Sequence, residues 1–344
     1  MHYTLGVIGA TGIVGEELLA ILAAHNIPPT AVKAFASQDA LGESLPYGDD
    51  EIAVSPLDPS VFQDLDLAFF CVPDSVAGEC IPIALQSQCV VIDTSRHFRL
   101  HPKACLFVPS QTEALLLHQG LIALPNPLSL ALTLALEPLH EECELTRLCV
   151  TAFESVSGAG RAGVEELEHQ IRDLMNMRDS ENTVFPRQIA FNTVPQTAPF
   201  AENDYTDDEL DCINETRALL NAPDLCGTAT SVYVPTFFCH ALSVNATFEN
   251  PITAKECRAI LSQIPAIHLV DNPMADCYPT MLDCGGEDAV FVGRIRPDTS
   301  HKNTLNLWIV LDNVRYACAK SCVTIYQYLC DHDLVRVTPN LLER

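Results

Sequence analysis

Through its first third the chain repeats one pattern, a short and continuously apolar run followed by a polar or glycine-rich break. Tyr3–Ile8 is the first such run, and the residues after it predict a helix over Glu16–Ala24. Ala31–Ala36, Leu65–Val72, Cys89–Asp93, Leu106–Pro109 and Gly120–Leu124 carry the same apolar signature. Runs this short and this uniformly apolar suit strands buried on both faces, and their alternation with helices predicts a parallel, doubly wound sheet. Leu128–Leu139 then reads as a buried helix. After it the runs lengthen and alternate better, over Arg147–Ser155, Ser231–Phe238, Leu242–Phe248, Val290–Arg296 and Leu305–Leu311, which predicts a mixed or antiparallel sheet. Gly163–Asn176 reads as a helix between them, and Asn313–Asp331 as a closing helix.

Composition narrows the class. The 344 residues include 45 acidic and 19 basic side chains, a net charge of −26, which argues against nucleic acid or an anionic membrane as partner. Ala201–Asp211 holds six acidic residues and no basic one, and reads as a solvated loop or helix start. The fifteen cysteines are odd in number and sit in apolar runs such as Phe69-Phe70-Cys71. With no secretion signal at Met1-His2-Tyr3-Thr4, they read as small hydrophobes in a reducing cytoplasm. No cysteine pair has zinc spacing, so no metal is expected, and no apolar stretch is long enough to span a bilayer.

Gly9-Ala10-Thr11-Gly12-Ile13-Val14-Gly15 joins the first strand to the first helix. This is a G-x-x-G-x-x-G variant of the dinucleotide fingerprint. Gly9 allows the tight turn, Gly12 a close approach of backbone to pyrophosphate, and Gly15 close packing of helix on sheet. After the second strand come Ser37-Gln38-Asp39, where Asp39 reads either as a partner of the ribose hydroxyls, which favours NAD, or as a plain loop residue, and no cation awaits the 2′-phosphate of NADP.

Several further segments occur in one order along the chain: Asp93-Thr94-Ser95-Arg96-His97-Phe98-Arg99, Pro125-Asn126, Ser155-Val156-Ser157-Gly158-Ala159-Gly160, Ile189–Gln196, Asn214-Glu215-Thr216-Arg217, His240, Gly293-Arg294-Ile295-Arg296 and Asn306-Leu307-Trp308. With the glycine turn, they resemble aspartate-semialdehyde dehydrogenases over nearly the whole length. The resemblance implies a Rossmann-type domain over 1–127 plus 313–344, and an α+β dimerisation and substrate domain with a mixed sheet over 128–312. It further implies a homodimer. The implied chemistry has a Cys thiolate attack the aldehyde, a His act as base, hydride pass to NADP, and phosphate cleave the thioester. On this pattern Gly9, Thr11, Gly12, Ile13, Val14, Gly15, Ser37, Ser157 and Gly158 fall at cofactor-binding positions. Arg99 and Asn126 fall at substrate or phosphate positions, and His240 at the base.

The departures are concentrated on chemistry. Pro127 stands at the nucleophile position and Glu154 at that of a Gln that orients the intermediate. Tyr233 replaces a carboxylate-binding Arg, Asp211 a phosphate-binding Lys, and Gln38 an Arg for the 2′-phosphate. Cys71-Val72-Pro73-Asp74 replace small residues. Loss of this set resembles the Usg-type paralogues of the family, which lack the active cysteine. The first expectation is therefore a catalytically deficient paralogue, with NADP or NAD held weakly or not at all and a protein partner unidentified. Two alternatives stand beside it: an active NAD(P)-dependent aspartate-semialdehyde dehydrogenase with a diverged site, and a different acid–base enzyme using Glu154 and His240. A relocated thiol at Cys71 or Cys239 is a further alternative, although Cys239 should point away from His240 on an extended strand.

Overall fold

The computed structural model describes residues 3–40 and 42–337. Met1, His2 and Leu41 lie outside the described residues, as does 338–344, the tail of the first expected domain. The chain divides into two compact units, Met1–Pro125 with Cys318–Arg344, and Asn126–Ala317.

In the first unit the elements run β1 (Leu5–Ile8), α1 (Ile13–Ala24), β2 (Val32–Ala36), β3 (Ser44–Tyr47), β4 (Asp50–Pro56), β5 (Leu67–Phe70), α2 (Asp74–Gln86), β6 (Val90–Asp93), β7 (Cys105–Leu106) and β8 (Leu121–Ala123). They form one sheet in the order β3-β4-β2-β1-β5-β6-β8-β7. Every residue of β1, β5 and β6 is buried, because apolar layers cover both faces. One layer joins Leu18, Leu19 and Leu22 of α1 to Cys322, Ile325 and Leu329 of the closing helix, and the other is built on Ala77, Ile81 and Ala84 of α2. The chain leaves β1 toward β2 and later returns to its other side as β5. The carboxyl ends of β1 and β5 therefore border the switch point, where open α/β sheets bind ligands.

The sequence pattern misses the β3–β4 hairpin, an antiparallel pair at the sheet edge. Its polar alternating residues, with only Leu45, Tyr47, Ile52 and Val54 turned inward, lack the continuous apolar signature of the central strands. The run expected over Leu106–Pro109 shrinks to Cys105–Leu106, an edge strand paired only to β8.

The second unit contains α3 (Pro127–Cys143), β9 (Leu145–Glu154), α4 (Gly160–Met175), α5 (Asp207–Leu219), β10 (Cys226–Tyr233), β11 (His240–Phe248), α6 (Ala254–Leu261), β12 (Ile267–Leu269), β13 (Val290–Pro297) and β14 (Thr304–Leu311). Its sheet order is β10-β9-β11-β14-β13-β12, with β10–β9 and β12–β13 parallel and the other pairs antiparallel. The mixed sheet follows the sequence expectation. α3 is buried around most of its circumference, from Leu128 to Leu136 and at Leu139, as its apolar composition requires.

Two sequence expectations are corrected here and one is narrowed. The strand expected over Ser231–Phe238 is Cys226–Tyr233, because Pro235 cannot continue it and the next residues turn away to pair with the glycine turn, Val156 N–H to Thr236 O and Ser157 N–H to Phe237 O. Of the two readings of the acidic stretch, the helix start holds for its second half, which opens α5, although Glu209 and Asp211 there are buried rather than solvated. Thr206 and Glu209 form a capping box, and the buried Glu209 also accepts the Ser231 N–H at 2.9 Å. The closing helix is not continuous, since a π-helical turn over Arg315–Lys320 precedes α7 (Ser321–Asp331). Asp312 accepts the Val314 and Arg315 N–H groups ahead of that turn. Among the described residues no helix is long and apolar enough to cross a membrane.

Because Thr206 caps α5 and Glu209 ties α5 to β10, Thr206→Ala is expected to lower unfolding stability by about 1 kcal/mol in urea titration.

Candidate active site

Cross-strand register builds the core of the site in the second unit. Tyr233 of β10 lies opposite Glu154 of β9, and Ala241 of β11 lies opposite Phe153. Tyr233, Glu154 and His240 therefore form a row across three strands, all buried. Beyond the row the chain turns through Ser155–Gly160, and the Ser155 N–H donates to His240 Nδ1 at 3.1 Å. With that lone pair engaged, the neutral imidazole carries its proton on Nε2. Asn313 locks the surroundings: its Oδ1 accepts the Cys239 N–H at 3.0 Å and its Nδ2 donates to Ser157 Oγ at 3.0 Å. A Cβ on Gly158 would sit 3.5 Å from the His240 ring and 3.6 Å from the Tyr233 ring, so this glycine leaves a small gap beside both.

His240 Nε2 lies 3.8 Å from Glu154 Oε2, near enough to count geometrically as an ion pair. The protonation states say otherwise. Burial pushes the Glu154 carboxyl up to about 8, with the Asp208 and Glu209 charges adding to the rise. Burial pulls His240 down to about 4. Near neutral pH both are therefore predominantly uncharged, and no ion pair forms. The local field is acidic elsewhere too. Burial raises the Tyr233 phenol, with Glu154 and Asp208 contributing, and burial raises the Cys212 thiol, with Glu215, Glu154, Asp208 and Asp211 contributing.

Asn126 and Pro127 open α3. The Asn126 side chain caps the helix by accepting the Leu128 N–H, while its own N–H donates to Glu215 Oε2 at 2.7 Å. Pro127 occupies the first helical position, where its missing N–H costs nothing and its fixed φ suits the helix.

In the first unit, Gly9 has φ +84°, and a Cβ there would lie 2.2 Å from the Cys71 carbonyl oxygen. A Cβ on Gly15 would lie 2.3 Å from the Gly9 oxygen. Both positions thus admit only glycine. A Cβ on Gly12 would meet nothing nearer than 3.3 Å, and α1 begins there with no side-chain cap. Ile13, Val14 and Gly15 thus start a helix whose positive end suits a pyrophosphate. Ser37 and Asp39 are exposed just beyond β2, in a stretch without Lys or Arg before Glu43. These residues fit the pyrophosphate and ribose diol of a dinucleotide. Arg99 spends part of its guanidinium on the Leu124 and Thr94 carbonyls.

Comparison with known proteins agrees with both halves. Residues 4–117 match the NAD binding domain of semialdehyde dehydrogenases, and 136–316 match the dimerisation domain. The chain belongs to the semialdehyde dehydrogenase family. It is 36% identical over 341 residues to the aspartate-semialdehyde dehydrogenase of Legionella pneumophila, with 98% of each chain covered. With that of Rickettsia conorii it shares 38% over 335 residues, covering 96% of this chain and 99% of the relative. The solved structure of aspartate semialdehyde dehydrogenase II from Vibrio cholerae, complexed with ASA, superposes with TM-score 0.91 at 34% identity, covering 96% and 99% of the two chains.

Within this member of the semialdehyde dehydrogenase family, tertiary structure brings Glu154, His240, Ser157, Gly158 and Tyr233 together, and places Asn126 and Pro127 at the start of α3, which packs on α5. The glycine turn, Ser37 and Arg99 are held in the other unit. Ser155, part of the Ser155–Gly160 segment, and Asn313, at the expected start of the closing helix, orient His240 and its turn, whereas sequence reasoning assigned no role to Thr197 and Ser231, whose buried hydroxyls act on Glu154. Ser231 was detectable in principle, since it lies two residues before Tyr233 on the same strand face. Cys239 packs in an apolar cluster with Ala241, Cys284, Phe291 and Val310. Burial raises the thiols of both Cys71 and Cys239.

Two outcomes follow. Glu154 gains a proton on folding between its ordinary range and about 8, so its contribution to stability falls as pH rises through that window. His240 acts oppositely, but only between about 4 and 6.5. From about pH 6.5 to 8, wild-type thermal stability should therefore decline relative to Glu154→Gln, by up to about 1.4 kcal/mol per pH unit. In iodoacetamide labelling of the native protein at neutral pH, exposed Cys277 should react while Cys71 and Cys239 do not outpace a free thiol.

Proposed function

We propose that this chain is a catalytically deficient member of the family that keeps a dinucleotide-binding domain and has left the thioester reaction. The observation that carries the reading is Pro127 at the first position of α3, the nucleophile position implied by the sequence resemblance. A proline there preserves the helix start and supplies no thiol. Cys212 on the neighbouring α5 offers no substitute, since burial and four acidic neighbours hold it in the thiol form. His240 adds to the reading, because its Nδ1 lone pair is taken and its Nε2 carries hydrogen, the state of a donor rather than a base. Tyr233 and Asp211 stand where cations would hold carboxylate and phosphate, and Asp211 adds repulsion.

The glycine turn and the open α1 N-terminus support binding of a dinucleotide, whose nicotinamide would supply hydride transfer in an active relative. Asp39, with no cation beside it, favours NAD over NADP. The matched dimerisation domain supports a homodimer, and the cysteine usage a cytoplasmic location.

Purified protein given aspartate semialdehyde, phosphate and either NAD or NADP should produce no reduced nicotinamide above the enzyme-free rate. Turnover would overturn the reading. Pro127→Cys alone should not restore it, because the cations and the basic lone pair are still missing. By calorimetry NAD should bind about tenfold or more tightly than NADP, reflecting one missing charge-assisted contact to the 2′-phosphate.

A further inference from the structure

A cavity of about 530 Å³ lies on the β11, β14 and β13 part of the second unit's sheet. Its lining includes Tyr278, Met281, Leu282, Arg294, Arg296 and Trp308, and the two arginines are the only charged side chains among its described lining residues. In a chain with 45 acidic and 19 basic residues, this is a local inversion of sign. Neither guanidinium is paired with a carboxylate among the described residues, whereas Arg172, Arg258 and Arg315 each are. Asp283, the acid that follows Leu282 in the chain, accepts the Thr280 hydroxyl at 2.6 Å.

A β-bulge puts the arginines there. Gly293 lies opposite Trp308, and the next cross-strand pair is Arg296 with Asn306, so β13 takes three steps where β14 takes two. Trp308 and Asn306 share one face of β14. In an unbroken ladder Ile295 would stand opposite Asn306 and Arg296 would turn inward. With the extra residue Ile295 is buried and Arg296 is exposed on the face of Trp308. Arg294, within the bulge, takes φ +52°, a conformation uncommon for a residue other than glycine. The bulge is pinned on both sides of Ile295: its N–H donates to Asp271 Oδ2 and its carbonyl accepts from Arg258, and these two side chains are themselves paired at 2.8 Å. Arg296 Nη1 donates to the Arg294 carbonyl at 2.7 Å, and Trp308 Nε1 donates to the Pro279 carbonyl at 3.0 Å, which fixes the indole.

The ligand chemistry follows from this lining. Guanidinium groups present paired N–H donors that match a carboxylate or phosphate, and the indole with Tyr278, Met281 and Leu282 offers apolar surface beside them. The volume suits one small molecule. We propose that this cavity binds a small organic anion, with its carboxylate or phosphate head group on Arg294 and Arg296 and its flat apolar body on Trp308. The lining includes neither Glu154 nor His240, so the inference stands apart from the thioester reaction and from the outcome of the turnover assay.

Trp308 is the only tryptophan in the chain, so its fluorescence reports occupancy directly. The full-length protein is titrated with benzoate, phenyl phosphate, benzamide, benzylammonium and inorganic phosphate. Binding is followed by Trp308 fluorescence and calorimetry, and light scattering records the mass of the protein. At least one of the two aromatic anions should bind saturably, and the tighter of them identifies the head group. Benzamide, benzylammonium and inorganic phosphate should bind about tenfold more weakly or not at all, since each lacks the charge or the body. Added salt should weaken the binding. Arg294→Gln and Arg296→Gln should each weaken it about tenfold. Leu282→Asp should do the same by setting a carboxylate beside the arginines, and the Leu282 side chain is 91% exposed, so this variant leaves the packing intact. The proposal is overturned by the absence of saturable binding of either aromatic anion, by equal binding of benzamide, or by undiminished binding to the three variants. A change in protein mass on addition of the anion would also overturn it, by assigning the cavity to contact between copies of the chain.

Discussion

A carboxyl group buried with no cation in its hydrogen-bonding shell must give up its charge or find one, and much of the second unit is organised around that constraint. Glu154 sits buried at the end of β9, and the side chain that acts on it most strongly, Asp208, is itself acidic. Transfer of an ionised carboxylate into such a place costs more than holding its proton near neutrality. The same desolvation keeps His240 uncharged and the Tyr233 phenol and Cys212 thiol protonated. The row across β10, β9 and β11 is thus a set of neutral polar groups. Uncharged, Glu154 offers one donor and one acceptor, the hydrogen-bonding capacity of the Gln that the family resemblance places there.

Rigidity around this row comes from main-chain bonds rather than from ion pairs. Val194 and Tyr233 exchange backbone hydrogen bonds at 2.9 and 3.0 Å, so the end of β10 is held on its outer side. Glu166 and Gln170 of α4 accept N–H groups from Thr183, Ile189 and Ala190, which fixes the loop that follows α4. A site held this way keeps its shape when its chemistry changes. The departures that the sequence resemblance implies at Pro127, Tyr233 and Asp211 are compatible with a scaffold held in this way. In the first unit the analogous constraint is steric: the Gly9–Gly15 turn is packed so closely on the Cys71 carbonyl and on itself that Gly9 and Gly15 are required by backbone contact alone.

The fold was largely legible in the chain. Largely apolar runs, broken only by Lys33 in β2 and by Asp93 at the end of β6, located β1, β2, β5, β6 and β8, since strands covered on both faces bury most of their side chains. The apolar circumference of α3 marked it as buried for the same reason. Edge elements escaped because their stability comes from neighbours rather than from their own pattern, as β3–β4 and the short β7 show. The end of β10 was misplaced because the apolar residues Val234–Phe238 continue the pattern after Pro235 has ended the pairing.

The sequence by itself determined the family-wide order of motifs, the glycine turn, the proline at the start of α3 and the acidity that surrounds the site. These are properties of residue type and spacing. Only the tertiary structure decided that Glu154 and His240 are neutral neighbours rather than an ion pair, and that Cys239 belongs to an apolar cluster. It alone brought the Thr197 and Ser231 hydroxyls to the Glu154 carboxyl. Charge state depends on the solvent excluded and the groups brought near, and hydrogen-bond satisfaction depends on partners tens of residues away. Neither is encoded in a local pattern.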